Sequence, residues 1–436
     1  MLGLVLTAGG ARGAYQAGVL KRLGEIPSLR DRPSPFSIVA GASAGAINGS
    51  LLAARGARLS DATREIARIW SELRVEQVFR TDGRALARTG LSLARDFVLG
   101  GLLGHTGTRA LFDTAPLAQL IEGIFPPRGI ADAIRRGRLY AVAITATSYH
   151  SGRSFTFIQG RPGHPVWVKS RRVVLPVTLN HRHVLASSAI PAVFPPVRVA
   201  TEAGELWFGD GGLRLVTPLS PAIRLGATHL LALGVRSSRA ADALAREEAG
   251  AVLVPTDAGA QLPCPPLAQV LGVFMNAIFL DHLDADLDHL RRMNELVAKA
   301  PHVEGASEPM RVVTPLLISP SEDLALIAQR FAHRMPRVVR YLLEGLGTPD
   351  AQSADLMSYL LFDGAYTRAL VDVGYQDAGE RVAEIEAMVR AAPAIATEPA
   401  PVRAAVRPTR AREPGRPRPR WADAPPPALR RVPPSV

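Results

Sequence analysis

The chain has 436 residues, 47% of them hydrophobic, and a formal net charge of +12. That length buries a sizeable core, and length alone sets an expectation of roughly two or three domains. One cysteine, Cys264, excludes an internal disulfide and a four-thiolate metal site, and an aromatic content of only 6% argues against a nucleic-acid-binding surface.

Leu2 to Thr7 is a short apolar run stopped by Gly9-Gly10, the pattern of a buried strand. It carries no basic leader and is too short for a signal peptide, so a cytoplasmic protein is expected. Ala14 to Leu23 reads as a helix with Val19, Leu20 and Leu23 on one face. Phe36 to Ala40 is a second strand, and Ala44 to Ala54 a second helix. Leu59 to Leu73 reads as an amphipathic helix. Further strands are expected at Leu139 to Thr145, Leu206 to Phe208 and His229 to Val235. Short buried strands alternating with helices predict an α/β protein with a mainly parallel sheet covered on both faces.

Residues 266 to 300, 322 to 346 and 353 to 390 look helical, with a strand-like run from Val312 to Ile318 between them. The division expected is therefore a domain over 1–235, a mostly helical extension over 236–390 and a tail over 391–436. The tail is rich in Pro, Ala and Arg, has almost no large apolar residues besides Trp421, and is expected to be disordered. Nine arginines and three acidic residues there account for half of the basic excess. Elsewhere, too, the basic residues are nearly all arginine, with only Lys21, Lys169 and Lys299 as lysines, a bias expected of a GC-rich genome. No stretch reaches about 18 uncharged apolar residues, so no membrane span is expected. No pattern sets an oligomeric state.

Three glycine-flanked segments carry the chemistry. Gly41-Ala42-Ser43-Ala44-Gly45 follows a strand and opens a helix, the setting of a nucleophile elbow, where a tight turn lifts a serine hydroxyl above a sheet. The alternative is a plain strand-to-helix turn with Ser43 as an N-cap. Gly9-Gly10-Ala11-Arg12-Gly13 opens the first helix. Its adjacent glycines suit a nest of backbone N–H groups for an oxyanion, with the charge of Arg12 added. A phosphate loop is the other reading, but the glycines at 9, 10, 13 and 18 fit neither nucleotide motif. Phe208-Gly209-Asp210-Gly211-Gly212 presents one carboxylate on a tight loop, as a direct general base or as an ordinary turn Asp. Ten histidines exist, none in a recognisable catalytic context.

These blocks in this order, with Ala186-Ser187-Ser188-Ala189-Ile190-Pro191 and its continuation to Pro196, resemble the patatin-like phospholipase family in its bacterial form. The resemblance covers residues 3 to about 235. It implies a three-layer α/β/α fold and a lipid acyl hydrolase with a Ser–Asp dyad and no metal or organic cofactor. Position by position, it implies Ser43 as nucleophile, Asp210 as base, and Gly9, Gly10, Ala11, Arg12 and Gly13 as the oxyanion block, with Gly41 and Gly45 framing the elbow. The partner it implies is an acyl-ester lipid, met through peripheral contact with a membrane. The competing reading is a catalytically silent scaffold that binds acyl lipids or a protein partner. Joint retention of Ser43, Asp210 and the glycine loop favours catalysis.

Four weaker features are weighed against bland readings. Asp281 to His289 alternates acids and histidines and reads as a solvated helix face before a metal site. His181-Arg182-His183 has metal-like spacing only if extended. Leu99 to Thr108 reads as a Gly-rich loop, with a cap over an acyl pocket as the alternative. Val270 to Leu280 reads as core packing, with contact to lipid as the alternative.

Overall fold

A computed structural model describes residues 1–80, 110–169, 171–202, 204–237, 267–279, 282–299, 310–337, 339–341 and 354–395. Ten strands form one sheet among these: β1 (Leu2–Leu6), β2 (Ile38–Ala42), β3 (Ala141–Ser148), β4 (Ser154–Gly160), β5 (Val168–Lys169), β6 (Arg172–Pro176), β7 (Val197–Thr201), β8 (Gly204–Asp210), β9 (His229–Leu233) and β10 (Thr314–Ile318). The order is β10-β9-β1-β2-β3-β4-β6-β5, with β8 pairing both β3 and β7. From β10 to β3 every pairing is parallel. The antiparallel part begins at the β3–β4 hairpin, whose connection is too short for a crossover helix and turns at Gly152, φ 62°.

Helices cover both faces. α1 (Gly13–Glu25), α2 (Ala44–Arg55) and α3 (Leu59–Ser71) pack on one face, with Leu2, Leu4 and Leu6 pointing into the same core. Val5, Ile38 and Ala40 point the other way, onto Ser220–Arg224 and α7 (His282–Lys299). The alternation follows from the two-residue period of a strand with both faces buried. The mainly parallel sheet with flanking helices is the architecture expected from the sequence. The predicted strands fall within a few residues of β1, β2, β3, β8, β9 and β10. β4 to β7 are not legible in the sequence; β4, β6 and β7 have mixed burial, and β5 has only two residues.

Further helices used below are α4 (Ala115–Ile124), α5 (His181–Ser187), α6 (Leu267–Phe279), α8 (Ala354–Leu360) and α9 (Gly364–Glu380). Described segments beyond residue 235 join the same fold. β10 extends it beside β9, with Leu316 opposite Leu231. α9 lies against α1 so closely that a Cβ on Gly374 would sit 2.1 Å from the Tyr15 carbonyl. Met1–Thr397 forms one compact unit. Cys264, Leu99 to Thr108, Leu280, Asp281 and the tail from 396 lie outside the described residues. No helix among the described residues is long and apolar enough to cross a membrane.

Candidate active site

β3 carries two strands along one edge. β2 pairs with it as far as Ala42 opposite Thr145, and β8 takes over with Asp210 opposite Ala146. β2 runs parallel to β3 and β8 antiparallel, so the two approach head-on and stop at neighbouring rungs. Ser43 follows the last residue of β2, and Asp210 is the last residue of β8. The topology thus brings the two candidate residues together at neighbouring rungs within a shared strand.

Ser43 has φ 55°, a left-handed backbone unusual for a side chain with a Cβ and worth about 1–3 kcal/mol of strain. Two serines on and after α5 hold it there. The Ser43 N–H donates to Ser187 Oγ at 2.9 Å, and Ser187 Oγ in turn donates to the Thr145 carbonyl at 2.6 Å. Ser188 Oγ donates to the Ser43 carbonyl at 3.1 Å. The turn is equally tight in its flanks, since a Cβ on Gly41 would lie 2.4 Å from the Gly45 carbonyl. The Ser43 side chain makes no capping hydrogen bond to α2, so the plain N-cap reading lacks its bond.

Asp210 is fully buried. Its N–H donates to the Ala189 carbonyl and its carbonyl accepts from Thr147 Oγ1, both at 2.8 Å. Oδ1 accepts from the Gly212 N–H at 2.8 Å. Oδ2 is buried without a hydrogen-bond partner. Burial pushes the carboxyl up to about 7, and the Ser43 hydroxyl and the Gly212 N–H, which favour the carboxylate, only partly offset this. The Ser43 hydroxyl is thus close to the carboxylate without completing a hydrogen bond to Oδ2. No histidine takes part in these bonds. His183, the one deeply buried histidine among the described residues, is bonded to Asn180 and stacked edge-on to Phe157.

The Gly9–Gly13 loop forms a 3-10 turn at the start of α1. The Arg12 N–H donates to the Gly9 carbonyl, and the Gly13 N–H closes on Gly10 and Ala11. The Arg12 guanidinium is engaged elsewhere, by Ser358, Asp355 and the ring of Tyr359.

A narrow apolar pocket of about 50 Å³ lies at Ser43. Gly10 and Ser188 border it, and Ile47, Leu117, Ile121 and Ile124 line its depth. Sequence reasoning missed Ile47 and α4 as pocket walls and Ser187 and Ser188 as supports of the elbow. It also missed Tyr149, a half-exposed residue whose hydroxyl is pushed up by burial and by the Asp210 charge. His181 and His183 lie on a helix, which removes the extended spacing considered for them. On α7, Asp286 accepts the Leu219 N–H and Asp288 pairs with Arg291. Among the described residues no group of three or more His, Cys, Asp or Glu is placed to hold a metal ion.

The sequence profile of the patatin-like phospholipases matches residues 4–223, just over half of the chain. No curated protein matches it. Among solved structures it is similar to VipD from Legionella pneumophila, with 13% identity and a TM-score of 0.29 over 85% of this chain and 66% of that one. Human GIVD cytosolic phospholipase A2, in complex with methyl gamma-linolenyl fluorophosphonate and terbium chloride, shares 13% identity with a TM-score of 0.35 over 89% of this chain and 60% of that one. The type III effector ExoU of Pseudomonas aeruginosa shares 16% identity with a TM-score of 0.25 over 82% and 76%. The chain spans less than two thirds of the length of the first two.

Proposed function

The chain belongs to the patatin-like phospholipase family, and we propose that it is a lipid acyl hydrolase working through Ser43 and Asp210. The observation that carries the reading is the buried, unpartnered Oδ2 of Asp210 beside a serine held in a strained turn at the mouth of an apolar pocket. Asp210 takes the Ser43 proton as Oγ attacks the ester carbonyl carbon. The N–H groups of Gly10 and Ala11 hold the resulting oxyanion. Collapse of the tetrahedral adduct breaks the ester C–O bond, and the departing alcohol takes the proton from Asp210. An acyl-Ser43 remains. Water then gives a proton to Asp210 and attacks the acyl carbon; Ser43 Oγ leaves, recovers that proton, and the fatty acid is released. No cofactor is needed for any step.

The pocket suits the start of an acyl chain, being lined mostly by aliphatic and aromatic side chains. The test is hydrolysis of a short-chain and a long-chain p-nitrophenyl ester by folded wild-type, Ser43→Ala and Ile47→Phe proteins. Ser43→Ala is expected to fall to background on both. Ile47→Phe is expected to lose about tenfold on the long ester and little on the short one. Turnover by Ser43→Ala would remove the nucleophile assignment. A folded wild type inactive on both esters would favour the silent scaffold.

The same reading sets α6 against the lipid surface. This helix has no charged residue, and Leu267, Val270, Val273 and Phe274 on it are exposed. Phe274→Asp is expected to reduce sedimentation with anionic phospholipid vesicles several-fold; unchanged sedimentation would rule this face out.

A further inference from the structure

The family match ends at residue 223, yet the loop proposed to bind the oxyanion is held by a helix that begins at residue 354. Arg12 is buried, and among the described residues its guanidinium is bonded to Ser358 and Asp355 and stacked on Tyr359, all on α8. Nε donates to Ser358 Oγ at 2.7 Å, and Nη2 donates to Asp355 Oδ1 at 2.8 Å. The Tyr359 ring lies 4.6 Å from the guanidinium carbon. A second contact reaches the loop directly. Gly10 has φ 56°, and a Cβ on it would lie 2.5 Å from the Tyr359 carbonyl, so the α8 backbone packs against a residue that borders the pocket at Ser43.

The contact extends to the other loop through α6. The Tyr359 hydroxyl donates to Asn276 Oδ1 at 3.0 Å, and its ring lies 5.8 Å from that of Phe279. Phe279 abuts Gly212, where a Cβ would meet the ring at 2.4 Å. Gly212 supplies the N–H that holds Asp210 Oδ1. One continuous set of side chains therefore touches both loops from outside the matched region.

An arginine buried this deeply is retained only when its donors are satisfied, because an unpaired buried charge is heavily penalised. Here Nε and Nη2 tie the guanidinium, and with it residue 12 of the loop, to α8. Oxyanion stabilisation depends on the aim of the loop N–H groups, so a small misplacement is felt in the rate.

We propose that α8 is a positioning element of the oxyanion loop, in which Asp355 and Ser358, acting through Arg12, and Tyr359, acting on Gly10, aim the Gly10 and Ala11 N–H groups. This rests on the reading of Ser43 as nucleophile. Asp355, Ser358 and Tyr359 are positioning residues; none touches the reacting atoms.

The experiment compares full-length wild type with Asp355→Ala, Ser358→Ala and Ser358→Thr. It measures kcat and KM on the short-chain ester, the rate of Ser43 phosphonylation by a fluorophosphonate, the pH profile and the thermal melt. Asp355→Ala and Ser358→Ala are expected to lower kcat and the phosphonylation rate together by about 10- to 100-fold, with KM and the midpoint of the pH profile unchanged. Ser358→Thr, which keeps the hydroxyl, is expected to restore most of the loss. Lowered melts with unchanged kcat per folded molecule would reduce α8 to a structural brace and overturn the proposal. Asp355 is partly exposed, so its variant keeps the test open if the Ser358 variants fail to fold. A wild type neither active nor phosphonylated would instead overturn the assignment of Ser43 itself.

Discussion

Replacing Asp210 with asparagine is expected to lower kcat on an ester by about 10²–10⁴-fold and, at pH 8, to raise the melting temperature above that of the wild type. Both effects have one source. The carboxyl is fully buried, its Oδ2 has no partner, and burial pushes it up to about 7 from an ordinary 3.8. Between those two values the folded protein keeps a proton that the unfolded chain has lost. The carboxylate therefore destabilises the fold progressively as pH rises from about 4 through about 7, by up to roughly 4 kcal/mol. Asparagine is neutral at every pH and removes that penalty. The same carboxylate is the form that accepts the Ser43 proton, so wild-type kcat/KM is expected to rise with a midpoint near pH 7. Melts at pH 5 and pH 8 with a rate profile from pH 5 to 9 check this. A midpoint near 4, or an asparagine variant less stable than wild type at pH 8, would show that burial does not govern the group.

Gly45→Ala is expected to be among the most damaging single-methyl changes in the chain. The added Cβ would sit 2.2 Å from the Leu6 carbonyl and 2.7 Å from that of Thr7. Neither can yield easily, because β1 is paired with β2 on one side and β9 on the other. Overpacking against fixed backbone costs at least about 1–3 kcal/mol, and here it also displaces the turn that carries Ser43. A loss of soluble protein, or a clearly lowered melt with ester turnover near background, is the expected result. Gly123→Ala on α4 is the control: nothing lies within 4 Å of its Cβ, and alanine in a helix gains about 0.5–1 kcal/mol over glycine. Equal melts for Gly45→Ala and wild type would mean that the elbow is not under the constraint described.

The contrast between these glycines explains what the sequence made legible. Where two backbones touch, as at Gly41 and Gly45, the geometry admits no side chain, and the constraint is written at the position itself. Glycines around Ser43 and Asp210 therefore marked both residues, and apolar runs bounded by them marked the central strands. The antiparallel strands were less visible because β4, β6 and β7 have mixed burial and lack a clean period. Arg12 was read as part of the oxyanion block from its place in the motif. Its side chain turns to α8, and nothing near residue 12 signals a contact with residue 355. The supports of Ser43 were hidden for the same reason: Ser187 is 144 positions away, and serine in a helix carries no mark of its partner.

The meeting of β2 and β8 on β3 sets how the molecule is free to change. The gap between Ser43 and Asp210 is one rung of a strand, Thr145 to Ala146. Of the long chain between them, only β3 and the Ser187–Ala189 segment are bonded to both ends of that gap. Segments inserted after α3 or beyond the β3–β4 hairpin would alter the pocket walls and the rim while leaving the rung as it is. β3 serves as a gauge for the reacting pair, and the surrounding connections are left to vary with the size and shape of whatever enters the pocket.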